Sequence, residues 1–392
     1  MTGTRTPWWA WTWPVLAWVV LLAAAVLGTG GLIAAIAGIA LIATVFAAVY
    51  HAEVVAHRTG EPFGTLVLAL AVTVIETALI VSVMLSAPVE SAGLARDTVF
   101  AAVMIVCNGI VGACLLAGGA RHREQAFQLQ GANAALAVLA ALTVLTLVLP
   151  NVASPGPTFS TPQLAFEAIV SLALYGSFIF VQTVRHRDYF LPVGNGDEEA
   201  HAPPPSNRTA LVSASLLMLA LVAVVGLAKA LTPTVELGVA RAGVPKEVVG
   251  IIIAALVLLP EGLAAVKAAR ADRLQTSLNL ALGSSLATIG LTIPAVAALS
   301  IALRQPLELG LNAKEQVLLA LTLLVSVITL GTGRTSVLQG IVHLLIFAVF
   351  SVLRGGALRQ RQHATRPLRA GDWCPPESRH ACHGMAKFSC EP

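Results

Sequence analysis

Long apolar segments separated by short polar ones run along most of this chain. A helix needs about 20 mostly apolar residues to cross a bilayer, and eleven segments approach or meet that length. They are, approximately, residues 14–29, 31–50, 64–87, 98–118, 132–150, 164–184, 210–231, 247–268, 275–299, 314–332 and 335–353. The pattern predicts an all-α polytopic membrane protein with about 11 transmembrane helices, lying in a lipid bilayer.

The longest polar gap, residues 185–209, is predicted to be a cytoplasmic linker rich in acidic residues and proline. It separates six spans from five. We interpret residues 1–30 as a leading helix, 31–184 as a first five-helix repeat and 210–353 as a second. Because five is an odd number, the two copies enter the membrane in opposite orientations, as in many secondary transporters.

Composition agrees with a membrane protein, since 57% of residues are hydrophobic and 11% are charged, against about 25% charged in soluble domains.

The charges of the loops predict the orientation. Lys and Arg number eleven in loops on the side of the N-terminus and six in the opposite loops. This bias predicts a cytoplasmic N-terminus. We expect the membrane to be a bacterial inner membrane. The net charge of +4 has no basic stripe with interleaved aromatics, so we expect no nucleic-acid partner. Oligomeric state is not predicted.

Two glutamates, Glu76 and Glu261, lie deep in predicted spans, each in the second helix of its repeat. A charged carboxylate at a helix centre costs at least about 2.5–3.5 kcal/mol on insertion scales. Two such costs at equivalent positions favour an ion or proton site over a pair of protonated, helix-packing glutamates. Burial favours the protonated carboxyl and a bound cation favours the carboxylate, so the same groups could exchange a cation for protons.

The neighbouring residues offer further oxygen ligands, which hard cations require in number. Pro260 removes a backbone N–H next to Glu261 and so frees a carbonyl upstream. The hydroxyl and amide candidates are Thr73, Asn108, Ser284, Ser285 and Thr288. Taken singly, the serines and Thr288 are better explained by helix packing than by ion binding. Together with the two glutamates, they favour a cation site.

Two motifs resemble the ChaA-type branch of the calcium/cation antiporter superfamily. GEPFGT at residues 60–65, continuing to TVIE at 73–76, resembles its first alpha-repeat; LPEG at 259–262 and NLALGSS at 279–285 resemble its second. The resemblance covers most of residues 50–350. It implies about eleven helices, an inverted repeat and exchange of Ca²⁺ for H⁺, with no cofactor beyond the transported ion.

Within the resemblance, the cation-binding glutamates correspond to Glu76 and Glu261, and a third-helix asparagine to Asn108. The small polar residues of the second repeat correspond to Ser284, Ser285 and Thr288. Vacuolar-type members carry Gly-Asn before each glutamate, where this chain has Val72–Thr73 and Val257–Leu258. Exchange of Na⁺ or K⁺ for H⁺ therefore stays open.

Other polar groups are weaker candidates. The segment HAEVVAH at 51–57 spaces its histidines six apart, which does not fit a zinc-protease helix; we expect a loop at the mouth of the third span that guides cations. Glu167 and His343 are interpreted as satisfied interior groups, and Cys107 and Cys114 as packing residues. The chain has neither H-E-x-x-H nor G-x-S-x-G, which argues against an intramembrane enzyme.

The last segment, residues 354–392, is basic and lacks a hydrophobic period, so we interpret it as a disordered tail. Its cysteines and histidines match no zinc-finger spacing. They are Cys374, His380, Cys382, His383 and Cys390.

Overall fold

The computed structural model describes residues 7–60, 63–86, 92–153, 157–191, 204–241 and 247–364. Almost all of them are helical, which confirms the all-α prediction. The long helices are α1 Trp8–Leu27, α2 Gly31–Thr59, α3 Phe63–Ser86, α4 Leu94–His122, α5 Leu129–Val148, α6 Thr161–Arg185, α7 Asn207–Arg241, α8 Glu247–Arg270, α9 Leu274–Leu303, α10 Ala313–Leu330 and α11 Val337–Ala364. Short helices occupy Pro150–Ala153 and Arg187–Phe190.

Nine of these helices, within the ranges the structure describes, are long and apolar enough to cross a membrane. The other two, α3 and α8, are 24-residue helices that carry Glu76 and Glu261. The chain is therefore a multi-pass membrane protein, while the total of eleven spans stays a prediction. Large apolar side chains such as Leu32, Val317 and Leu338 are exposed on the outer helix faces, where lipid would cover them.

Small residues hold α1, α2 and α7 together in one cluster. Ala17, Ala37, Ala40 and Ala220 are among its fully buried members. Alanine lets helix backbones approach closely, which is how membrane helices pack without a hydrophobic driving force. This cluster joins the leading helix to the first helix of each predicted repeat.

The remaining helices pack in matched pairs. α3 contacts α9 and α8 contacts α4; α6 lies on α9, and α11 lies on α4. Each contact between the two halves thus has a counterpart with the halves exchanged. That is the pattern expected of two five-helix repeats related by a pseudo-twofold axis.

The third helix of each predicted repeat contains a π-helical segment. These segments are Ile105–Ile110 in α4 and Thr288–Thr292 in α9. π-segments insert an extra residue per turn, leave backbone carbonyls without their usual partners, and are frequent at functional sites. Two further π-segments end α5 and α6, at Val144–Val148 and Val181–Arg185. The matched pair in α4 and α9 is the one that faces the glutamate helices.

Capping and a small sheet define the loops. Asn312 Oδ1 accepts from Glu315 N at 3.0 Å to begin α10, and Ser160 caps α6. β1 (Glu124–Ala126) pairs antiparallel with β2 (Arg334–Ser336), which ties the loop after α4 to the loop after α10.

Several helix ends differ from the sequence predictions, and α7 continues to Arg241, ten residues beyond its predicted end. α1 begins at Trp8, six residues earlier than predicted, with Pro14 inside it. α2 continues to Thr59, so the loop predicted at 51–57 is wrong: buried His51 contacts the carbonyl of Ala10 at 2.9 Å, which satisfies a polar group inside the helix. α11 continues ten residues beyond Arg354, although this part of the tail was predicted to be disordered. The helix can continue because Leu, Arg and Gln favour helix formation even where the segment is not apolar enough for a membrane span.

Parts of the predicted linker and tail lie outside the described residues. These are 192–203, which include the acidic and proline clusters, and 365–392, which include the tail cysteines and histidines. At the described edge of the linker, the carbonyl of Phe190 accepts from Asn279 Nδ2 at 2.6 Å, which anchors that turn on α9.

Candidate cation site

The side of the membrane at which α2 ends and α3 begins is called the Arg58 side below. α4 returns to this side, where His122 contacts the carbonyl of Arg270 at 3.1 Å. Gln125, just after α4, donates to the carbonyl of Ala269 at 2.9 Å. α8 therefore ends on the Arg58 side as well.

Depth along the helices places the two glutamates at neighbouring levels. Glu76 lies 13 residues after Phe63, about 20 Å from the Arg58 side at 1.5 Å per residue. Glu261 lies nine residues before Arg270, about 14 Å from the same side. α3 and α8 contact each other, so the two carboxylates are on neighbouring helices. Both depths are smaller than the thickness of a hydrocarbon core, about 30 Å.

Glu76 is held by the π-segment of α9. Its side chain is 2% exposed, and its Oε2 accepts from Thr288 Oγ1 at 2.9 Å and from Thr292 Oγ1 at 3.3 Å. Its Oε1 has no hydrogen-bond partner among the described residues. One oxygen of the carboxylate is thus fixed by the other half of the molecule and one is left for a ligand.

Glu261 lacks comparable support. It is 6% exposed, and within the described part of the chain neither of its oxygens has a hydrogen-bond partner. A buried carboxylate without partners is costly, so this position requires a cation or a proton. Pro260 lies inside α8 as predicted, and Gly262 packs against the side chain of Ile110, in the π-segment of α4.

The hydroxyls predicted in α9 lie at about the depths of the two carboxylates. Ser284 and Ser285 are about 15 Å from the Arg58 side, level with Glu261, and their hydroxyls have no partner in the described structure. Thr288 is one turn further along and contacts Glu76 directly. Thr73, one turn before Glu76 on α3, is buried and has an interaction partner of its own.

Two hydroxyls belong with this group but were not among the predicted site residues. Thr292 donates to Glu76; its four-residue spacing from Thr288 is the signal that could have found it. Thr77 follows Glu76, and its buried hydroxyl has no partner among the described residues. The carboxylates and hydroxyls together supply the oxygen ligands that hard cations prefer.

Asn108 is not joined to either glutamate by a hydrogen bond in the described structure. It lies in the π-segment of α4, which packs against α8, but its Nδ2 donates to Thr322 Oγ1 at 2.9 Å. Its Oδ1 is 3.2 Å from His343 Nδ1, and His343 Nε2 is 3.1 Å from Thr329 Oγ1. The amide is thus engaged by α10 and α11, and its predicted role as a ligand stays a prediction.

The same contacts settle the role of His343 as an interior polar group, because both ring nitrogens have partners. For Glu167 the interpretation holds for one oxygen only: Oε1 accepts from Ser171 at 2.7 Å, whereas Oε2 has no partner among the described residues.

Cys107 and Cys114 are free thiols buried in the core, as expected of packing residues. In the residues described, no three His, Cys, Asp or Glu side chains converge as a metal centre would require.

Comparison with known proteins decides the family. The family model described as sodium/calcium exchanger protein matches residues 27–184 and 212–356. The chain belongs to this family. Its two matched segments coincide closely with the two predicted five-helix repeats, and each contains one of the buried glutamates.

Relatives agree with the assignment. The chain is 51% identical to y4hA of Sinorhizobium fredii over 359 residues, covering 90% of this chain and 97% of that protein. It is 37% identical to the sodium-potassium/proton antiporter ChaA of Escherichia coli, covering 86% of this chain and 93% of the relative.

Solved structures share the fold. Native YfkE superposes with a TM-score of 0.70 at 16% identity, covering 88% of this chain and 99% of that one. The H⁺/Ca²⁺ exchanger CAX superposes with a TM-score of 0.66 at 16% identity, covering 91% of each chain. At this identity the match establishes the fold alone.

Proposed function

We propose that this chain is a secondary transporter of a bacterial inner membrane that exchanges Ca²⁺ for H⁺, with Glu76 and Glu261 binding cation and proton alternately. The observation that carries the proposal is Glu261, a buried carboxylate whose two oxygens have no partner among the described residues. Glu76 is on the contacting helix α3, and one of its oxygens also has no partner among the described residues. A group that must be neutralised, by a cation or by protons, is what exchange requires.

The arrangement supports exchange at one site. Thr288 and Thr292 orient the carboxylate of Glu76 from the other half of the molecule, while Ser284 and Ser285 lie at the level of Glu261. A cation that enters draws on oxygens from both halves and displaces the protons. Movement of one half against the other then exposes the site to the opposite side of the membrane.

Na⁺ or K⁺ in place of Ca²⁺ is the second candidate. It is favoured by the 37% identity to a protein named as a sodium-potassium/proton antiporter. Ca²⁺ takes six to eight oxygens, and the described groups around the two glutamates reach that number only if the hydroxyls of α3 and α9 contribute with both carboxylates.

The test is proton flux in everted membrane vesicles containing the protein. A respiration-generated pH gradient is established, and Ca²⁺, Na⁺ and K⁺ are added in turn as chloride salts at equal ionic strength. We expect Ca²⁺ to collapse the gradient at the lowest concentration. A response to Na⁺ or K⁺ alone would replace calcium by the second candidate, and no response to any of the three would refute the exchanger proposal.

A further inference from the structure

A third carboxylate lies below the two glutamates on the Arg58 side. Glu53 is on α2, six residues before Thr59, about 9 Å from that side along the helix. Glu261 and Glu76 follow at about 14 and 20 Å. The three carboxylates therefore form a descending series from the membrane centre toward the water on one side.

The helices that carry the series are in contact. α2 packs on both α3 and α8. Neighbouring helix axes are typically 8–10 Å apart, and Glu53 and Glu261 differ in depth by about 5 Å. These values put the two residues on the order of 10 Å apart, on helices that contact each other.

Glu53 differs from the other two in its surroundings. Its side chain is exposed, whereas Glu261 and Glu76 are buried. No cationic side chain of the described residues pairs with it: the nearby guanidinium of Arg58 is bound instead to Asn207 Oδ1, with Nε at 2.8 Å. An accessible, unneutralised carboxylate next to an unpartnered buried one creates a local negative potential that attracts cations.

Exposure and depth separate the role of Glu53 from that of the buried pair. Glu53 is exposed and lies nearest the Arg58 side, whereas Glu261 and Glu76 are buried deeper. Glu53 can therefore hold a hydrated cation before the cation loses its water at the glutamate pair.

Resting on the proposed function, we propose that Glu53 is a staging carboxylate, at which a hydrated cation is concentrated on the Arg58 side before it moves to Glu261 and Glu76. Its ligand class is a small inorganic cation, and its effect is on the apparent affinity rather than on the turnover rate. The effect scales with ionic charge, because the Coulomb energy of a divalent ion with one carboxylate is twice that of a monovalent ion.

The expected size follows from this geometry. At about 10 Å and an effective dielectric constant of about 40, removing one charge raises the KM about fourfold for a monovalent ion. For a divalent ion the same removal raises the KM about sixteenfold. Screening by salt reduces both factors, since the Debye length at 0.1 M ionic strength is about 10 Å.

The experiment measures cation-dependent proton flux in everted vesicles at low ionic strength, normalised to the amount of protein in the membrane. Glu53→Gln removes the charge; Glu53→Asp keeps it and should restore the KM to within about twofold of wild type. Glu124→Gln is the matched control, because Glu124 is an exposed carboxylate on the same side, paired with Arg334 at 3.9 Å. Glu53→Ser is a second neutral variant, used if Glu53→Gln does not reach the membrane.

We expect Glu53→Gln to raise the KM by these factors, to leave the maximal rate within about twofold, and to lose its effect at 0.5 M ionic strength. An unchanged KM, an equal change in Glu124→Gln, or a lower maximal rate at unchanged KM would overturn the staging role while leaving the exchanger intact. If wild-type vesicles respond to no cation, the exchanger proposal and this inference fail together.

Discussion

The hydrogen bond from Thr288 to Glu76 gives the sharpest prediction about the site. Thr288→Val keeps the shape of the side chain and removes only the donor, which lies 2.9 Å from Oε2. The bond joins the π-segment of the second half to the carboxylate of the first. Its loss leaves Glu76 with the weaker contact from Thr292 at 3.3 Å, and removes one oxygen from the proposed cation site.

The magnitude follows from the burial of Glu76, which is 2% exposed. Removing one partner of a buried hydrogen bond to a charged group costs about 1.5–3 kcal/mol. A cost of about 1.4 kcal/mol corresponds to a factor of ten in an equilibrium constant at 25 °C. We therefore expect Thr288→Val to weaken cation binding by about 10- to 100-fold, and Thr292→Val to weaken it less.

The assay is the concentration dependence of cation-driven proton flux in everted vesicles at one fixed pH. Thr143→Val is the matched control, because Thr143 is also buried but its hydroxyl bonds to the carbonyl of Leu139 in its own helix, at 2.8 Å. The reasoning is refuted if Thr288→Val has the wild-type KM, or if Thr143→Val raises the KM as much.

Two further predictions concern helix packing and ion pairing. Gly290→Ala should reduce transport and lower the melting temperature of the protein in detergent, because an added Cβ would lie 2.6 Å from Cβ of Tyr175. Such overpacking costs about 1–3 kcal/mol. Gly283→Ala should be tolerated, because Gly283 faces open space. Arg354→Met should destabilise the fold by about 3–5 kcal/mol, since it leaves the buried carboxylate of Glu315 without its ion-pair partner. It also takes from Asp97 one of two cations, leaving the pair with Arg96 at 3.0 Å. By contrast, Arg334→Met removes only an exposed pair at 3.9 Å.

Each of these has an outcome that contradicts it. Equal melting temperatures for Gly290→Ala and Gly283→Ala would show that α6 does not pack tightly on α9. Equal losses in Arg354→Met and Arg334→Met would show that the buried network of Arg354 with Asp97 and Glu315 contributes no more than a surface pair.

The sequence was sufficient for the parts of the fold that depend on hydropathy. The long apolar segments predicted where the helices lie, although α2, α7 and α11 continue nine to eleven residues beyond their predicted ends. The isolated Glu76 and Glu261 stood out because a membrane span tolerates few charges. Hydropathy failed where helices carry polar residues. α2 runs through His51 because the carbonyl of Ala10 is its partner, and such a partner is supplied only by the tertiary structure.

The contacts within the site were less accessible to prediction. A π-segment differs from an α-helix by one residue per turn and leaves no mark in the hydrophobic period. The four-residue spacing from Thr288 could therefore mark Thr292 as a candidate, but not its contact with Glu76. Asn108 shows the converse: its place in the third helix was predicted, but its amide is bound by Thr322 and His343, on helices about 200 residues away in sequence.

The central claim is that Glu76 and Glu261 carry both cation and proton. It is tested most directly by proton flux in everted vesicles containing Glu76→Gln or Glu261→Gln, with Glu167→Gln as the control for neutralising a buried intramembrane glutamate. The account predicts that each of the first two variants abolishes cation-dependent collapse of the pH gradient at wild-type protein levels, while Glu167→Gln retains it. Full exchange by either site variant would contradict the account.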